Sequence, residues 1–268
     1  MEKLRTTIEA LYRQENPEEG EVQRTVGELL TLLEEGKVRA AERIEGVWRV
    51  NSWVKEGILL GFRTGKIQTY EHGPFSFADK GIFAPQPFLA KEKTRIVPGG
   101  TAIRRGAYIG ERVIIMPPSY VNVGAYVGKG TMIDSHVLVG SCAQIGEEVH
   151  LSAGTQIGGV LEPPGSLPVI VEEKVFVGGN CGLFDGILVG RGAVLGAGTI
   201  LTQSTPLLDS TTGQTLRGSS EKPLAVPERA VVVPGARPRE NHFLYCPVIV
   251  KYRDEKTDAA TALEEGLR

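Results

Sequence analysis

An aliphatic residue returns at every sixth position through the middle of this chain, and the residue after it is usually glycine. The first run of these positions is Ile103, Ile109, Ile115, Val121, Val127, Ile133, Val139, Ile145, Leu151 and Ile157. After an interruption the spacing resumes with Val171, Val177, Leu183, Val189, Leu195 and Leu201. A period of six fits neither an amphipathic helix nor a single strand. Sixteen matches in register instead indicate hexapeptide repeats that wind into a parallel β-helix.

The coil length of a β-helix predicts which residues stack on one another. Three six-residue sides make a coil of about eighteen residues, and adjacent coils lie about 4.8 Å apart. Segment 161–168 contains prolines, which lack the N–H that a strand ladder needs, so we predict that it loops out. A second excursion is predicted over 203–223, which is rich in Ser, Thr and Gly. Val226 and Val232 then restore the spacing for a last partial coil.

The segments outside the repeat predict a small helical domain before the β-helix and a short extension after it. Residues 1–66 carry apolar stripes at helical spacing, broken near Pro17 and Gly36. Residues 67–100 indicate a linker with short extended pieces that packs on both neighbours. Its phenylalanines are Phe75, Phe77, Phe83 and Phe88. We assign 101–235 to the β-helix and 236–268 to a strand over 243–252 followed by a helix over 259–267. The predicted fold class is mainly β.

Charge and composition exclude several classes of function. The net charge is −2 and the isoelectric point is near 6.2, which is not typical of a nucleic-acid-binding protein. We find no apolar run long enough to span a bilayer and no secretory leader pattern, so we expect a cytoplasmic protein. The three cysteines are widely spaced and indicate neither a disulfide framework nor a zinc site.

Positions that break the glycine rule are the candidates for chemistry. By the coil length, Met116, Asp134 and Ser152 share one column, and Arg104 and Asn122 share another. Asp134 is then either a functional carboxylate beside a hydroxyl group or an Asp that hydrogen-bonds its own turn.

Two histidines within the repeat leave a similar choice open. Hexapeptide acyltransferases often use a His as base, yet neither His136 nor His150 stands at a position that singles it out. Each is either a base or a surface or interface residue.

Longer motifs resemble one family, the tetrahydrodipicolinate N-succinyltransferases of the bacterial lysine and diaminopimelate pathway. The resemblance spans almost the whole chain, through segments 32–42, 53–63, 118–127, 139–146, 149–152, 157–163 and 244–251, and through Gly130-Thr131-Met132-Ile133-Asp134. It implies a left-handed β-helix, a homotrimer, and active sites between neighbouring subunits. It also implies succinyl transfer from succinyl-CoA to the amino group of the opened tetrahydropyridine dicarboxylate, with no metal or prosthetic group.

The resemblance assigns roles to two residues and shows one departure. The Asp of the Gly-Thr-Met-x-Asp motif is essential in this family and contacts the amino acceptor, which implies that role for Asp134. Arg95 corresponds to the Arg that binds an acceptor carboxylate. The family's Arg-Ser-Glu reads Asn180, Cys181 and Gly182 here. Either that Glu is not an essential base, or Asp185 takes over, or the acceptor or acyl group differs.

The remaining candidates are placed by position in the repeat. For the substrate they are Arg104, Asn122 and Ser141. For the acyl-CoA they are Ser152, Ala153, Gly178, Ala197 and Lys251, the last as a partner of a CoA phosphate. We expect a backbone N–H near 158–159 or 178–179 to hold the oxyanion.

Two other classes of protein remain as alternatives at this level. One is an N-acetyltransferase acting on the same or a related amino acid or amino sugar. The other is a non-catalytic β-helix, either a scaffold or a metal protein similar to hexapeptide carbonic anhydrases. A metal site would need several histidines to meet between subunits, and no motif joins the four in this chain. They are His72, His136, His150 and His242.

Overall fold

The computed structural model describes residues 1–73, 75–87, 94–219 and 222–256. In these ranges the chain begins with three α-helices, α1 (Glu2–Tyr12), α2 (Glu19–Glu34) and α3 (Ser52–Thr64). Their apolar stripes bury residues such as Ile8, Leu29 and Ile58, which are 0% exposed. Helix α2 is followed by a left-handed Gly36, whose N–H donates to the carbonyl of Leu33, as we would expect for a glycine after a helix. The helical N-terminal part is therefore present as predicted.

The β-helix has three faces, each a sheet of short parallel strands. The Tyr108 face consists of Tyr108–Ile109, Tyr126–Val127, Gln144–Ile145, Ile170–Val171, Leu188–Val189 and Ala225–Val226. The Tyr120 face consists of Ala102–Ile103, Tyr120–Val121, Leu138–Val139, Gln156–Ile157, Gly182–Leu183 and Ile200–Leu201. The His150 face consists of Arg95–Ile96, Ile114–Ile115, Met132–Ile133, His150–Leu151, Phe176–Val177, Val194–Leu195, Ala230–Val233, Val248–Tyr252, Leu207–Asp209 and Thr215–Leu216. Its last three pairings include antiparallel ones.

The six-residue period arises because the second residue of each two-residue strand points into the core. The sixteen periodic aliphatic residues are 0–5% exposed and form one continuous cluster. The glycine that follows is required by the close approach of the next coil. A Cβ on Gly128 would lie 2.5 Å from the carbonyl carbon of Gly146, a distance that side chains do not tolerate. Two positions further on, the turn adopts positive φ, as at His136 (φ 62°). The hexapeptide prediction is confirmed.

Segment 67–100 differs from the predicted linker. Strands Ile67–His72 and Phe75–Lys80 form an antiparallel hairpin, and Gly81–Phe83 forms a 3-10 turn. Strand Arg95–Ile96 pairs with Ile114–Ile115, so the β-helix sheet starts before residue 101.

The phenylalanines of this segment divide into buried and exposed ones. Phe83 is 0% exposed and its ring lies 4.2 Å from that of Phe62. Phe75 and Phe77 are 64% and 56% exposed in the single chain, so the expected packing of the segment on both neighbours stays a prediction for these two rings. Phe88 lies outside the described residues.

The C-terminal region is also more structured than predicted. The single strand expected over 243–252 is divided at Cys246 and Pro247. Its first half pairs in the hairpin Ala236–Arg239 with His242–Tyr245, and its second half, Val248–Tyr252, pairs antiparallel with Ala230–Val233. Within the excursion over 203–223, two short strands extend the His150 face. The predicted helix over 259–267 lies outside the described residues.

The helical part packs on the Tyr108 face, and outward side chains of the other two faces, such as Met132, Leu138 and Ile200, stay partly exposed in the single chain. The guanidinium of Arg39 lies 3.7 Å from the ring centroid of Tyr126 and donates to Oε1 of Gln144 at 2.9 Å. The indole N–H of Trp48, in the hairpin Ala41–Ile44 with Val47–Val50, donates to Oε1 of Glu172 at 2.8 Å. None of the helices in the described ranges combines the length and apolar character needed to cross a bilayer.

Candidate active site

Most of the candidate site residues of the repeat lie at two of the three corners of the coil. We call the turns that follow the His150 face the Asp134 corner and the turns that follow the Tyr120 face the Asn122 corner. The backbone N–H of Asp134 donates to the carbonyl of Leu151 at 2.9 Å, and that of Met116 donates to Ile133 at 2.8 Å. Met116, Asp134 and Ser152 therefore stack in one column, as the period predicts.

One oxygen of the Asp134 carboxylate is used by the turn itself. Oδ1 accepts the N–H of Ser135 at 2.8 Å, the local bond that an Asp makes readily. Oδ2 accepts no hydrogen bond from the described residues, and the side chain is half-buried. One oxygen thus fixes the orientation of the carboxylate, and the other remains available to accept a proton.

A groove of about 270 Å³ lies where the turns of the Asp134 corner lead into the Tyr120 face, and Asp134 itself is not part of its wall. Its wall includes His136, two residues after Asp134, and Pro118 and Tyr120 from the preceding coil. The hydroxyl of Ser119 lies 2.9 Å from the carbonyl of Asp134 and thereby connects the two coils. The side chain of His136 is exposed, and its backbone N–H donates to the carbonyl of Pro118. A small polar ligand in this groove would lie close to the Asp134 turn.

The candidate acyl-CoA residues continue along the Asp134 corner in later coils. Ser152 stacks next to Asp134, and the exposed Ala153 follows it. Gly178 occupies the same position one coil further on, and a Cβ there would lie 2.6 Å from the backbone nitrogen of Ala197. Ala197 is exposed. Because these side chains are small, an extended ligand could approach the backbone along this edge of the β-helix.

Arg95 and Lys251 lie at opposite ends of the sheet that leads into this corner. Arg95 is exposed and stands in register with Ile114 and Met132, so it lies two rungs, or about 10 Å, from the strand of Met132. Lys251 pairs opposite Val231 near the other end of the sheet and forms an ion pair with Asp254 at 3.0 Å. The two cations therefore stand on either side of Asp134 and the small residues.

Arg104, Asn122 and Ser141 lie at the Asn122 corner and are not brought next to Asp134 within one chain. Arg104 has a side chain that is 12% exposed and forms an ion pair with Asp79. Its Nε donates to the carbonyl of Phe83 at 3.0 Å, and its Nη1 lies 3.4 Å from Oδ1 of Asn122. Arg104 is thus engaged by its own chain, and its predicted role in substrate binding stays a prediction.

Gly182, where the family pattern has Glu, is covered by an aromatic ring. A Cβ on Gly182 would lie 2.6 Å from Cε2 of Phe184 and 2.9 Å from Cδ1 of Ile200. The same ring would meet a Cβ on Gly158 at 2.7 Å. Asp185, the proposed substitute, is exposed in the turn after Phe184. The missing carboxylate is therefore replaced by apolar surface.

We expect Gly182→Glu to lower the free energy of unfolding by about 1–3 kcal/mol, because the new side chain and the Phe184 ring need the same space. Combining it with Phe184→Ala should recover at least half of that loss. The measurement is a double-mutant cycle by urea unfolding, with Phe184→Ala alone as the control. Strictly additive effects of the two substitutions would contradict this account.

Two of the three cysteines, Cys142 and Cys181, offer no nucleophile at neutral pH. Burial raises the pKa of the Cys181 thiol, and it raises the pKa of Cys142 to about 12. Both thiols therefore stay protonated, whereas a thiolate is the reactive form. Within the described ranges, no cluster of three or more His, Cys, Asp and Glu side chains is arranged to hold a metal ion.

One polar residue of the repeat was missed by the sequence reasoning. Glu172 follows Val171, at the position where glycine is the rule, and is 5% exposed. It accepts hydrogen bonds from the indole of Trp48 and from the N–H of Arg191, and it pairs with Arg43 at 3.4 Å. The broken glycine rule was the signal. Its role is to attach the N-terminal hairpin to the β-helix.

Comparison with known proteins places this architecture. A family model described as the N-terminal part of tetrahydrodipicolinate N-succinyltransferase matches residues 3–64, and a model of the hexapeptide repeat of succinyl-transferase matches residues 168–203. Three relatives described as 2,3,4,5-tetrahydropyridine-2,6-dicarboxylate N-succinyltransferase are similar along nearly their whole length. The Parvibaculum lavamentivorans protein is 43% identical, with 93% of this chain and 91% of the relative covered. The Methylorubrum populi protein is 40% identical (99% and 98% covered), and the Rhodopseudomonas palustris protein is 43% identical (93% and 91% covered).

A β-helix of six-residue sides with polar corners defines the class of hexapeptide-repeat proteins. Within that class, the chain belongs to the family of tetrahydrodipicolinate N-succinyltransferases. The resemblance drawn from the motifs is thereby confirmed.

Proposed function

We propose that this chain transfers the succinyl group of succinyl-CoA to the amino group of ring-opened tetrahydrodipicolinate, in the biosynthesis of diaminopimelate and lysine. The observation that carries the proposal is identity of 40–43% over 91–98% of the length of relatives that are described by this activity. The proposal includes a cytoplasmic location and no nucleic-acid or membrane partner, in line with the small net charge.

The chemistry we propose is a direct transfer in a ternary complex. The amine nitrogen attacks the thioester carbonyl, a C–N bond forms, and the C–S bond breaks to release the thiol. Asp134 accepts the proton that the nitrogen loses, which Oδ2 is free to do because Oδ1 is held by Ser135. Asp134 then gives this proton to the departing thiolate, which leaves as free CoA and restores the carboxylate.

The backbone N–H groups of Gly159 and Gly179 are the candidates to stabilise the oxyanion formed in this attack. The preceding residues, Gly158 and Gly178, already donate their N–H groups to the carbonyls of Leu183 and Leu195. The neighbouring Gly159 and Gly179 donate to no carbonyl in the described part of the chain. Donors fixed by the turn and aimed at developing charge stabilise a transition state without reorganisation. We therefore assign the oxyanion to Gly159 or Gly179.

A homotrimer with sites between subunits is part of the proposal. Within one chain, the Asp134 corner and the Asn122 corner are the two edges of the Tyr120 face, so their residues cannot surround one ligand. The outward side chains of the two uncovered faces include Met132, Leu138 and the 37% exposed Ile200. Apolar outward side chains on two adjacent faces favour contact with other copies of the chain. Such packing would place the Asp134 corner of one subunit opposite a face of the next.

The donor and acceptor are tested together by following thiol release from acyl-CoA in the presence of tetrahydrodipicolinate. We expect turnover with succinyl-CoA and at least a tenfold lower kcat/KM with acetyl-CoA. The acetyl group lacks the carboxylate, so the polar groups that bind this carboxylate would have no partner, a loss worth more than about 1.4 kcal/mol. Reactions without acceptor provide the control for thioester hydrolysis. Turnover with acetyl-CoA alone would show that the succinyl assignment is wrong.

A further inference from the structure

A lysine is fully buried in α3, away from the corners that carry the chemistry. Lys55 is 0% exposed and is among the largest fully buried side chains of the chain. Its Nζ donates to the backbone carbonyl of Ser166 at 2.5 Å, and no carboxylate in the described residues pairs with it. Burial lowers the pKa of Lys55. A buried ammonium without a counter-ion is unfavourable for stability compared with an apolar side chain of the same size. Its presence therefore points to a purpose other than stability.

The partner of Lys55 belongs to segment 160–168, the loop that interrupts the β-helix. Both ends of the segment contact the β-helix, since Val160 packs against its core and a Cβ on Gly186 would collide with the carbonyl oxygen of Leu167. The middle makes fewer contacts: a turn joins the N–H of Ser166 to the carbonyl of Pro163, and a Cβ on Gly165 would meet no atom within 4 Å. Leu161 packs against the helical core cluster. The segment is thus attached to the helical domain through Leu161 and through the ammonium of Lys55.

This segment also adjoins the Asn122 corner at its start. It leaves the β-helix directly after Gly159, one of the two candidate oxyanion donors, and the N–H of Val160 donates to the carbonyl of Ser141 at 3.3 Å. A Cβ on Gly159 would lie 2.7 Å from the backbone nitrogen of Ser141. The position of the loop therefore determines how closely a ligand can approach the backbone at Ser141 and Gly159.

We propose that Lys55 is a positioning residue that holds segment 160–168 in place beside the Asn122 corner. It thereby shapes the part of the groove between subunits where Gly159, a candidate oxyanion donor, would meet the thioester of the acyl donor. The helical domain acts on this loop through the charged hydrogen bond of Lys55 and through the packing of Leu161. Lys55 touches no substrate and acts through the backbone of Ser166. The effect on the donor rests on the proposed acyltransferase function, whereas the effect on the loop does not.

The test uses the full chain with Lys55→Met, which keeps the length of the side chain and removes the donor. Amide hydrogen exchange in segment 160–168 should become about tenfold faster, since a hydrogen bond to a charged group is lost. The melting temperature should stay the same or rise. The KM for succinyl-CoA should increase about tenfold with little change in kcat, which is the signature of lost ground-state binding. Lys37→Met, at an exposed position of the same domain, is the matched control and should change none of these.

Each outcome decides between positioning and a purely structural role. Unchanged exchange in segment 160–168 overturns the proposal, as does faster exchange without a change in the KM for the donor. A lower melting temperature with faster exchange throughout α3 indicates a structural role and also overturns it. If Lys55→Met does not fold, Leu161→Ala loosens the other attachment and should give the same rise in KM. If the wild-type protein shows no acyl transfer, the proposed function fails, and the exchange experiment still tests the role of Lys55 in the loop.

Discussion

Asp134→Asn is expected to lower kcat for acyl transfer by about 10²–10⁴-fold, the range typical for removal of a general base. The amide nitrogen cannot accept the proton that Oδ2 accepts, whereas the amide oxygen can still receive the N–H of Ser135. The turn should therefore be retained, and the melting temperature and the mass of the assembly in solution should match the wild type. The measurement is steady-state kinetics with succinyl-CoA and tetrahydrodipicolinate, together with thermal unfolding and light scattering.

Asp185→Asn is the matched control for this experiment. Asp185 is an exposed carboxylate at the Asn122 corner, and it is the residue that would replace the family's missing Glu as base. We expect this variant to keep its kcat within a few-fold of the wild type if Asp134 is the base, and to keep its stability, as surface substitutions usually do. A near-normal rate for Asp134→Asn combined with a large loss for Asp185→Asn would show that Asp185, at the Asn122 corner, is the base.

The β-helix could be predicted from the sequence because its determinants are local and repeated. Every coil must bury an aliphatic residue at the same positions and must allow the same close approach of the next coil. The sequence therefore repeats an aliphatic residue followed by a small one at every corner. The residues that stack in a column, such as Asp134 and Ser152, follow from the coil length alone. Their stacking was predicted correctly for this reason.

Contacts that occur only once could not be predicted in the same way. Two of the hairpins, Ile67–His72 with Phe75–Lys80 and Ala236–Arg239 with His242–Tyr245, repeat no pattern that a period could reveal. The partners of Arg104 come from the first of these segments, through Asp79 and Phe83. Its position in the repeat made it look available for a substrate, and the non-local segment is what engages it.

In the candidate site, too, repeated features could be predicted and contacts that occur once could not. The period placed Asp134 and the small residues along one corner, and the resemblance gave Asp134 a role. Neither could show that Phe184 fills the space above Gly182, since this depends on the direction of one ring. Neither could find Lys55, because a lysine in a helix gives no sign in the sequence that it is buried. Its partner lies 111 residues away in the chain.

Gly140→Ala is expected to be the most destabilising single-methyl substitution considered for this chain. A Cβ at Gly140 would collide with the backbone nitrogen of Gly159 and would lie 2.6 Å from the carbonyl carbon of Gly158. Backbone atoms in a strand ladder cannot rotate away as a side chain can, so two coils must separate locally. We expect the free energy of unfolding to fall by about 3 kcal/mol, at the upper end of the usual cost of overpacking.

Gly27→Ala is the matched control, because it adds the same methyl group at a position inside α2 where a Cβ would meet no atom within 4 Å. Alanine is the better helix former, so this variant should gain about 0.5–1 kcal/mol. Urea and thermal unfolding of both variants at one protein concentration provide the comparison. An unchanged melting temperature for Gly140→Ala would show that adjacent coils separate at little cost. The glycine after each corner would then need an explanation other than close approach, and the argument that small residues give a ligand access to this backbone would lose its physical basis.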